Sequence, residues 1–370
     1  MNGAKDRVRA LLRPEVLALS AYATVDAQGY IKLDAMENPY PWPEAMVEEW
    51  LTRLRTAAPN RYPDPSCTRL KGALRAALGI PAEAGLLVGN GSDEIIQIIL
   101  MAVAGSGGCV LAPEPTFVMY RQISTCLGLP FVGVPLREPD FSLDPDALGA
   151  ALARHRPKVV FLAYPNNPTG NLFDEAAILR VLAEAPGLVV LDEAYAPYAG
   201  RSFLSRLPEF GNLLVMRTLS KLGLAGLRLG LVAGDPAWIE QLDKVRLPYN
   251  INVLTQISGE FALEKRAVLD AQVAQLVQHR QALREELSKF HAVHVYPSWA
   301  NFLLFRLLCH DAERVYQELK AAGILVKNLH PVGGPLRQCM RVTVGTAEEN
   351  RHFLLALRHI LETQDPAHDS

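Results

Sequence analysis

The chain has 370 residues, 49% of them hydrophobic and 21% charged, an ordinary balance for a globular protein with room for two or three domains. Its formal charge of −2 gives no electrostatic case for nucleic acid or an anionic membrane, and no apolar run is long enough to span a bilayer. Five scattered cysteines without a CxxC pair argue for reduced core thiols rather than a zinc site or disulfides, and a charge-studded N-terminus without a secretory apolar core reads as cytoplasmic.

In chain order, residues 1–30 read as a short helix and an extended arm. The following LDAMENPYPWP (33–43) holds too much proline for a helix or a central strand and is expected as ordered, extended chain. Met46, Val47, Trp50, Leu51 and Leu54 fall at helical spacing over 43–57. RYPDPSCTRL is a Pro-punctuated loop, and 70–78 a short helix. The run 85–88 then reads as a strand that enters the Gly-rich turn GNGSDE (89–94) and an amphipathic helix, with Ser92 the expected N-cap. Strands are expected at 109–112, 131–135, 158–164, 187–191 and 213–216, with helices at 144–155 and 174–185. These strands are continuously apolar, as a mostly parallel sheet covered on both faces requires. The run 229–233 follows 213–216 too closely for a crossover helix, so it is expected to be antiparallel. Residues 252–290 are helical throughout, as one helix or two in tandem. Strands at 300–307, 324–327 and 339–345 then alternate with helices at 311–322 and 347–363, and 364–370 reads as a frayed tail. The expected fold is α/β, a central sheet with helices on both faces and a smaller C-terminal α+β unit. It divides into an arm (1–40), a large domain (41–255) and a small domain (256–370).

In an open parallel sheet, ligands collect beyond the carboxyl ends of the strands. Those ends carry PNNPTG, DEAY and RTLSK, so Asn167, Asp192, Tyr195 and Lys221 can converge on one crevice walled by GNGSDE. Taken singly, these residues read as a turn, a helix cap, a packed aromatic and a surface lysine. Together they supply what pyridoxal 5′-phosphate needs. Lys221 offers an amine for a Schiff base, its pKa expected to fall through burial and the neighbouring Arg217 and Arg228. Asp192 offers a carboxylate for the ring nitrogen. Asn167 and Tyr195 can bond the ring hydroxyl, and Phe117 of PEPTF can stack on the ring. Gly91, Ser92 and Asp93, at a helix start, can hold the phosphate with Arg228. His291 and His294 have metal-like spacing but lack acidic or Cys partners, and no metal site is expected.

With LDAMENPYP, RYPDP, GNGSDE, PEPTFVMY, PNNPTG, LDEAY, RTLSKLGLAGLRLG, NFLLF, VKNLH and CMRVTVGTAEEN in family order over 14–355, the chain resembles the fold-type I, class II aminotransferases. LDAMENPYP and CMRVTVGT are similar to the branch that acts on histidinol phosphate in histidine biosynthesis. The resemblance implies Lys221 as the Schiff-base lysine, Asp192 as the ring-nitrogen partner, and Asn167 and Tyr195 at the ring hydroxyl. It places Thr218, Ser220, Arg228 and the GNGSDE turn at the cofactor phosphate. Tyr62 is implied to reach the cofactor of the neighbouring subunit, making an obligate homodimer with shared sites. Arg228 stands seven positions after Lys221, one fewer than in many relatives, which calls for a tighter loop.

The implied reaction transfers an amino group between L-histidinol phosphate and 2-oxoglutarate, through L-glutamate, with Lys221 as the base. Arg341 is expected to anchor the donor carboxylate and the substrate phosphate, helped by Lys327 or His330. Lys327 stands where some relatives carry arginine, keeping the charge without the bidentate fork. Tyr22, Glu37 and Asn38 are expected to close over the imidazole. Two rivals use the same cofactor groups: a phosphothreonine-type decarboxylase and a broad aromatic aminotransferase. A ligand-sensing regulator would need a DNA-binding domain that the roughly 30 residues before the arm cannot hold.

Overall fold

The computed structural model describes residues 3–21 and 26–363. Tyr22 and the 364–370 tail therefore lie outside the described residues. Among the described residues, no helix is long and apolar enough to cross a membrane.

Among the described residues, twelve strands form two sheets. In chain order they are β1 (Ile31–Leu33), β2 (Gly85–Asn90), β3 (Val110–Glu114), β4 (Phe131–Pro135), β5 (Val159–Ala163), β6 (Leu188–Asp192), β7 (Leu213–Thr218), β8 (Leu229–Gly234), β9 (Val293–Val295), β10 (Phe302–Leu307), β11 (Ile324–Asn328) and β12 (Cys339–Thr343). The large sheet has the order β2-β8-β7-β6-β5-β3-β4. β3 to β7 run parallel, and β8 is antiparallel to both its neighbours, as the short β7–β8 connection demands.

Alternate residues along each strand supply two cores. Val159, Phe161, Val190, Leu214 and Met216 face the helices Gly91–Val103 and Met119–Cys126. Val160, Leu162, Val189, Leu191 and Val215 face the opposite layer, whose core continues to the second sheet. With both faces dry, polar groups of this sheet can meet a ligand only at strand ends, which fixes where the site must lie.

The second sheet has the order β1-β11-β12-β10-β9. Its first strand comes from the arm, whose extended reading did not include a partner. β1 pairs in parallel with β11, Ile31 opposite Ile324, so residues 31–33 form a sheet edge. Three residues with a single fully buried side chain, Leu33, are too short a signal for sequence periodicity to register. Short strand β9, which carries His294, went unread for the same reason.

The 252–290 helical stretch is two helices, Val253–Glu264 and Arg266–Leu287, interrupted at Lys265. Asn252 caps the first by accepting from the Thr255 N–H at 2.9 Å. Ser92 is not an N-cap: the helix begins at Gly91, and Asn90 precedes it without a side-chain cap. All five cysteines are free, but Cys126 and Cys309 are exposed rather than core thiols.

Candidate active site

The carboxyl ends of β5, β6 and β7 open into one cavity. Asn167, Asp192, Tyr195, Thr218, Ser220 and Lys221 line it, with Ser92, Asp93, Phe117 and Arg228 on the helix side and Met36 from the arm. The residues that the strand-end motifs singled out therefore meet in space.

Lys221 follows β7 in a single turn of 3₁₀ helix, Ser220–Leu222. The Tyr198 hydroxyl donates to the Lys221 carbonyl at 2.6 Å, pinning its backbone. Its ammonium donates to the Ala35 carbonyl at 3.1 Å. Burial, then the charge of Arg341, lowers its pKa to about 8, with Arg228 a lesser contributor. Arg217 is not among the groups responsible. Alternation along β7 sends it to the opposite face, where it pairs with fully buried Glu193 at 2.8 Å.

Asp192 ends β6 and is 4% exposed. Its Oδ2 accepts from the Tyr120 hydroxyl at 2.6 Å and its Oδ1 from the Ala194 N–H at 3.1 Å. Burial raises its pKa to about 6, against the lowering effect of the Tyr120 and Ala194 bonds. Sequence reasoning missed Tyr120, although it stands three residues after Phe117, across the turn that leads into the helix Met119–Cys126. Asn167 Oδ1 accepts from Arg341 at 2.5 Å, so a large-sheet turn and a small-sheet strand meet there. The Tyr195 hydroxyl donates to the Met36 sulfur at 3.3 Å, and its ring meets Phe302 edge-on.

At the cavity's other end lies an anion seat. No side chain caps the helix Gly91–Val103, and Glu94 is engaged by the Asn90 N–H at 2.6 Å and by Asn250 at 2.7 Å. Arg228 reaches over this helix start, 3.2 Å from Asp93 and 3.5 Å from Ser220 Oγ. Gly91 makes that reach possible: at φ +77, an added Cβ would lie 2.6 Å from the Arg228 guanidinium. The short Lys221–Arg228 loop is accommodated by two 3₁₀ turns, separated by Gly223 and ending with Arg228 at φ 50.

A second cationic pair stands on the small sheet. Lys327 and Arg341 are direct partners across β11 and β12, and both face the same adjoining cavity as Lys221 and Met36. Burial, then the Arg341 charge, lowers the Lys327 pKa. Like charges placed directly opposite repel, so an anion bound between the two heads would stabilise the pair.

The chain matches the model for aminotransferase class I and II over residues 28–357. It is 55% identical over 354 residues to histidinol-phosphate aminotransferase 2 of Nitrosococcus oceani, covering 96% of this chain and 98% of that one. To histidinol-phosphate aminotransferase 2 of Cupriavidus pinatubonensis it is 51% identical over 360 residues, covering 96% and 98%. The chain belongs to the class I and II aminotransferases. Among solved structures, histidinol-phosphate aminotransferase from Sinorhizobium meliloti in complex with pyridoxal-5′-phosphate superposes with a TM-score of 0.83 at 24% identity, over 96% of this chain and 98% of that one. At that identity the likeness concerns the fold.

The aminotransferase has a donor set that fits pyridoxal 5′-phosphate. It offers an amine with a lowered pKa, a buried carboxylate without a cationic partner among the described residues, and an uncapped helix start under a guanidinium. Once bound, that cofactor supplies an electron sink for charge developing at the substrate carbon. Among the described residues, no group of three or more His, Cys, Asp or Glu could hold a metal ion.

Three arm and turn residues, Glu37, Asn38 and His330, have partners of their own and are not among the residues lining the Lys221 cavity or the adjoining one with Lys327 and Arg341. Glu37 pairs with Lys32 at 2.7 Å. Asn38 donates to Gln272 at 2.9 Å and accepts from the Tyr40 N–H, which ties it to the helix Arg266–Leu287. His330 accepts from the Gln338 N–H at 3.2 Å within its own turn. Tyr62 is 81% exposed and stacked on Tyr249, away from its own chain's cavity.

Proposed function

We propose that the aminotransferase moves an amino group between L-histidinol phosphate and 2-oxoglutarate, by way of L-glutamate. The observation that carries this reading is the Lys327–Arg341 pair, two cations side by side on β11 and β12 against the cavity that also holds Lys221. A carboxylate from one substrate and a phosphate from the other can each occupy that place in turn. The names and full-length identity of the relatives support the same substrate.

In this reading Lys221 would hold the cofactor, and its amine would hold and return the proton of the substrate carbon. Asp192 would serve the ring nitrogen, Asn167 and Tyr195 the ring hydroxyl, and Phe117 the ring face. Gly91, Ser92, Asp93, Thr218, Ser220 and Arg228 would hold the cofactor phosphate. The exposed Tyr62–Tyr249 stack supports a homodimer in which Tyr62 completes that seat in the partner's site. The enzyme is taken to work in the cytoplasm.

The test is the absorbance of the cofactor-loaded enzyme on adding each amino donor. L-histidinol phosphate and L-glutamate should each convert the cofactor to its amino form. A response to phenylalanine but not to histidinol phosphate would replace this substrate by an aromatic amino acid. Carbon dioxide released from phosphothreonine would make the enzyme a lyase. A decarboxylase of L-threonine-O-3-phosphate from Porphyromonas gingivalis shares the fold with a TM-score of 0.76 at 21% identity, over 90% of this chain and 99% of that one.

A further inference from the structure

Asp192 sits in a poor environment for an ionised carboxylate. Its lateral neighbours in the sheet are Ala163 and Met216, which offer no hydrogen bond. Among the described residues no cation pairs with it, and its two donors are the Tyr120 hydroxyl and the Ala194 N–H. The backbone donor comes with the turn after β6. The phenol is brought from another element, the helix Met119–Cys126, 72 residues away in sequence.

Tyr120 is itself held with little freedom. It is fully buried, stacked on Phe161 at 4.5 Å and 7°, and crossed edge-on by Phe117 at 5.5 Å. Phe117 lines the cavity, and the Tyr120 N–H donates to its carbonyl at 3.3 Å, so one turn of chain joins the aromatic wall of the site to the group that aims its carboxylate. Desolvation, then the charge of Asp192, holds the Tyr120 hydroxyl well above the ordinary range, so it stays protonated and can only donate to Asp192. Donation to a carboxylate favours the charged form, opposing the burial that would neutralise it.

We infer that Tyr120 is a positioning residue that keeps Asp192 ionised and aimed, and thereby governs whether the ring nitrogen of the bound cofactor holds its proton. This rests on the proposed role of Asp192 at that nitrogen. Without the Tyr120 donor, Asp192 becomes the more basic partner and takes the shared proton, leaving the ring nitrogen neutral and the electron sink weaker. No atom is gained or lost; one proton shifts between Asp192 Oδ and the ring nitrogen.

The test uses cofactor-free protein titrated with pyridoxal 5′-phosphate and with its 1-deaza analogue, in which carbon replaces the ring nitrogen. Tyr120→Phe should weaken binding of the natural cofactor about tenfold, the size of one hydrogen bond to a charged group, without weakening the analogue. With ¹⁵N-labelled cofactor, the ring-nitrogen resonance should move toward the unprotonated position. Should Tyr120→Phe not fold, 3-fluorotyrosine at position 120, which keeps the ring shape and acidifies the hydroxyl, should move the resonance the opposite way. Equal weakening of both ligands, or an unmoved resonance, would overturn the inference. Asp192→Asn separates the two claims. It should erase the preference for the natural cofactor over the analogue; if the preference survives, the role of Asp192 is wrong, whereas its loss there but not in Tyr120→Phe removes only Tyr120.

Discussion

The two sheets contribute to the site in different ways. The large sheet offers strand ends: Asp192 closes β6, and Lys221 lies just past β7, both over a core that is dry on two faces. The small sheet offers a face, with Lys327 and Arg341 projecting from within β11 and β12. Strand ends in a parallel sheet allow exposed polar groups beside a rigid floor, which suits a cofactor that must stay still. A face between two sheets can open and close, which suits substrates that must come and go. At the cavity, hydrogen bonds from Arg341 to Asn167, from Lys221 to the Ala35 carbonyl and from the Tyr195 hydroxyl to the Met36 sulfur join the halves.

If this division holds, variants of the large sheet lose cofactor chemistry and variants of the small sheet lose substrate. Lys221→Ala should show the greatest effect, with turnover falling by about four orders of magnitude as both attachment and proton transfer disappear. Cofactor absorbance characteristic of the lysine linkage should vanish with it, and its persistence would reassign the residue. Next in size, Arg341→Ala should raise KM for L-glutamate about a hundredfold, as expected for a lost buried anion contact, while cofactor affinity changes less than about threefold. Comparable losses of both would erase the division. On the rear face, Arg217→Met should leave Glu193 charged and unpaired, at a cost of about 3 kcal/mol in denaturant unfolding, with kcat per folded molecule preserved.

The pH dependence sharpens the same contrast. Only the neutral amine attacks an aldehyde, so the rate of cofactor attachment to the cofactor-free protein should climb about tenfold per pH unit below the Lys221 pKa of about 8, then level off above it. A profile still rising at pH 10 would mean that neither burial nor Arg341 lowers this lysine. The smallest effect belongs to Asn38→Ala, about 1 kcal/mol of stability with KM unaltered, because its bonds go to Gln272 and Tyr40.

What could be read from the chain follows the same line. Continuous apolar runs marked each large-sheet strand, and turn chemistry placed Asn167, Asp192 and Lys221 at their ends, because both signals are local. Tyr120 escaped notice since its partner is distant in sequence and nothing near it suggests a donor's duty. Ser92 looked like a cap by residue type, but Gly91 at φ +77 starts the helix two residues earlier than that cap implies. Arg217 was assigned to Lys221 by proximity along the chain, whereas strand alternation turns it away. Asn38 stands beside an active-site segment yet serves a helix from another part of the fold. In each miss, a long-range contact or the pleat of a strand outweighed nearness in sequence.

The parallel pairing of β1 with β11 has a consequence for how the molecule is made. Ile31 finds its partner Ile324 nearly three hundred residues later, so during synthesis the arm has emerged long before its seat exists. The large sheet can assemble on the ribosome, but Asp34 and Ala35 cannot take their places near Arg341 and Lys221 until the small sheet has formed. A nascent chain halted before residue 324 would thus present a finished cofactor floor with its cover still loose.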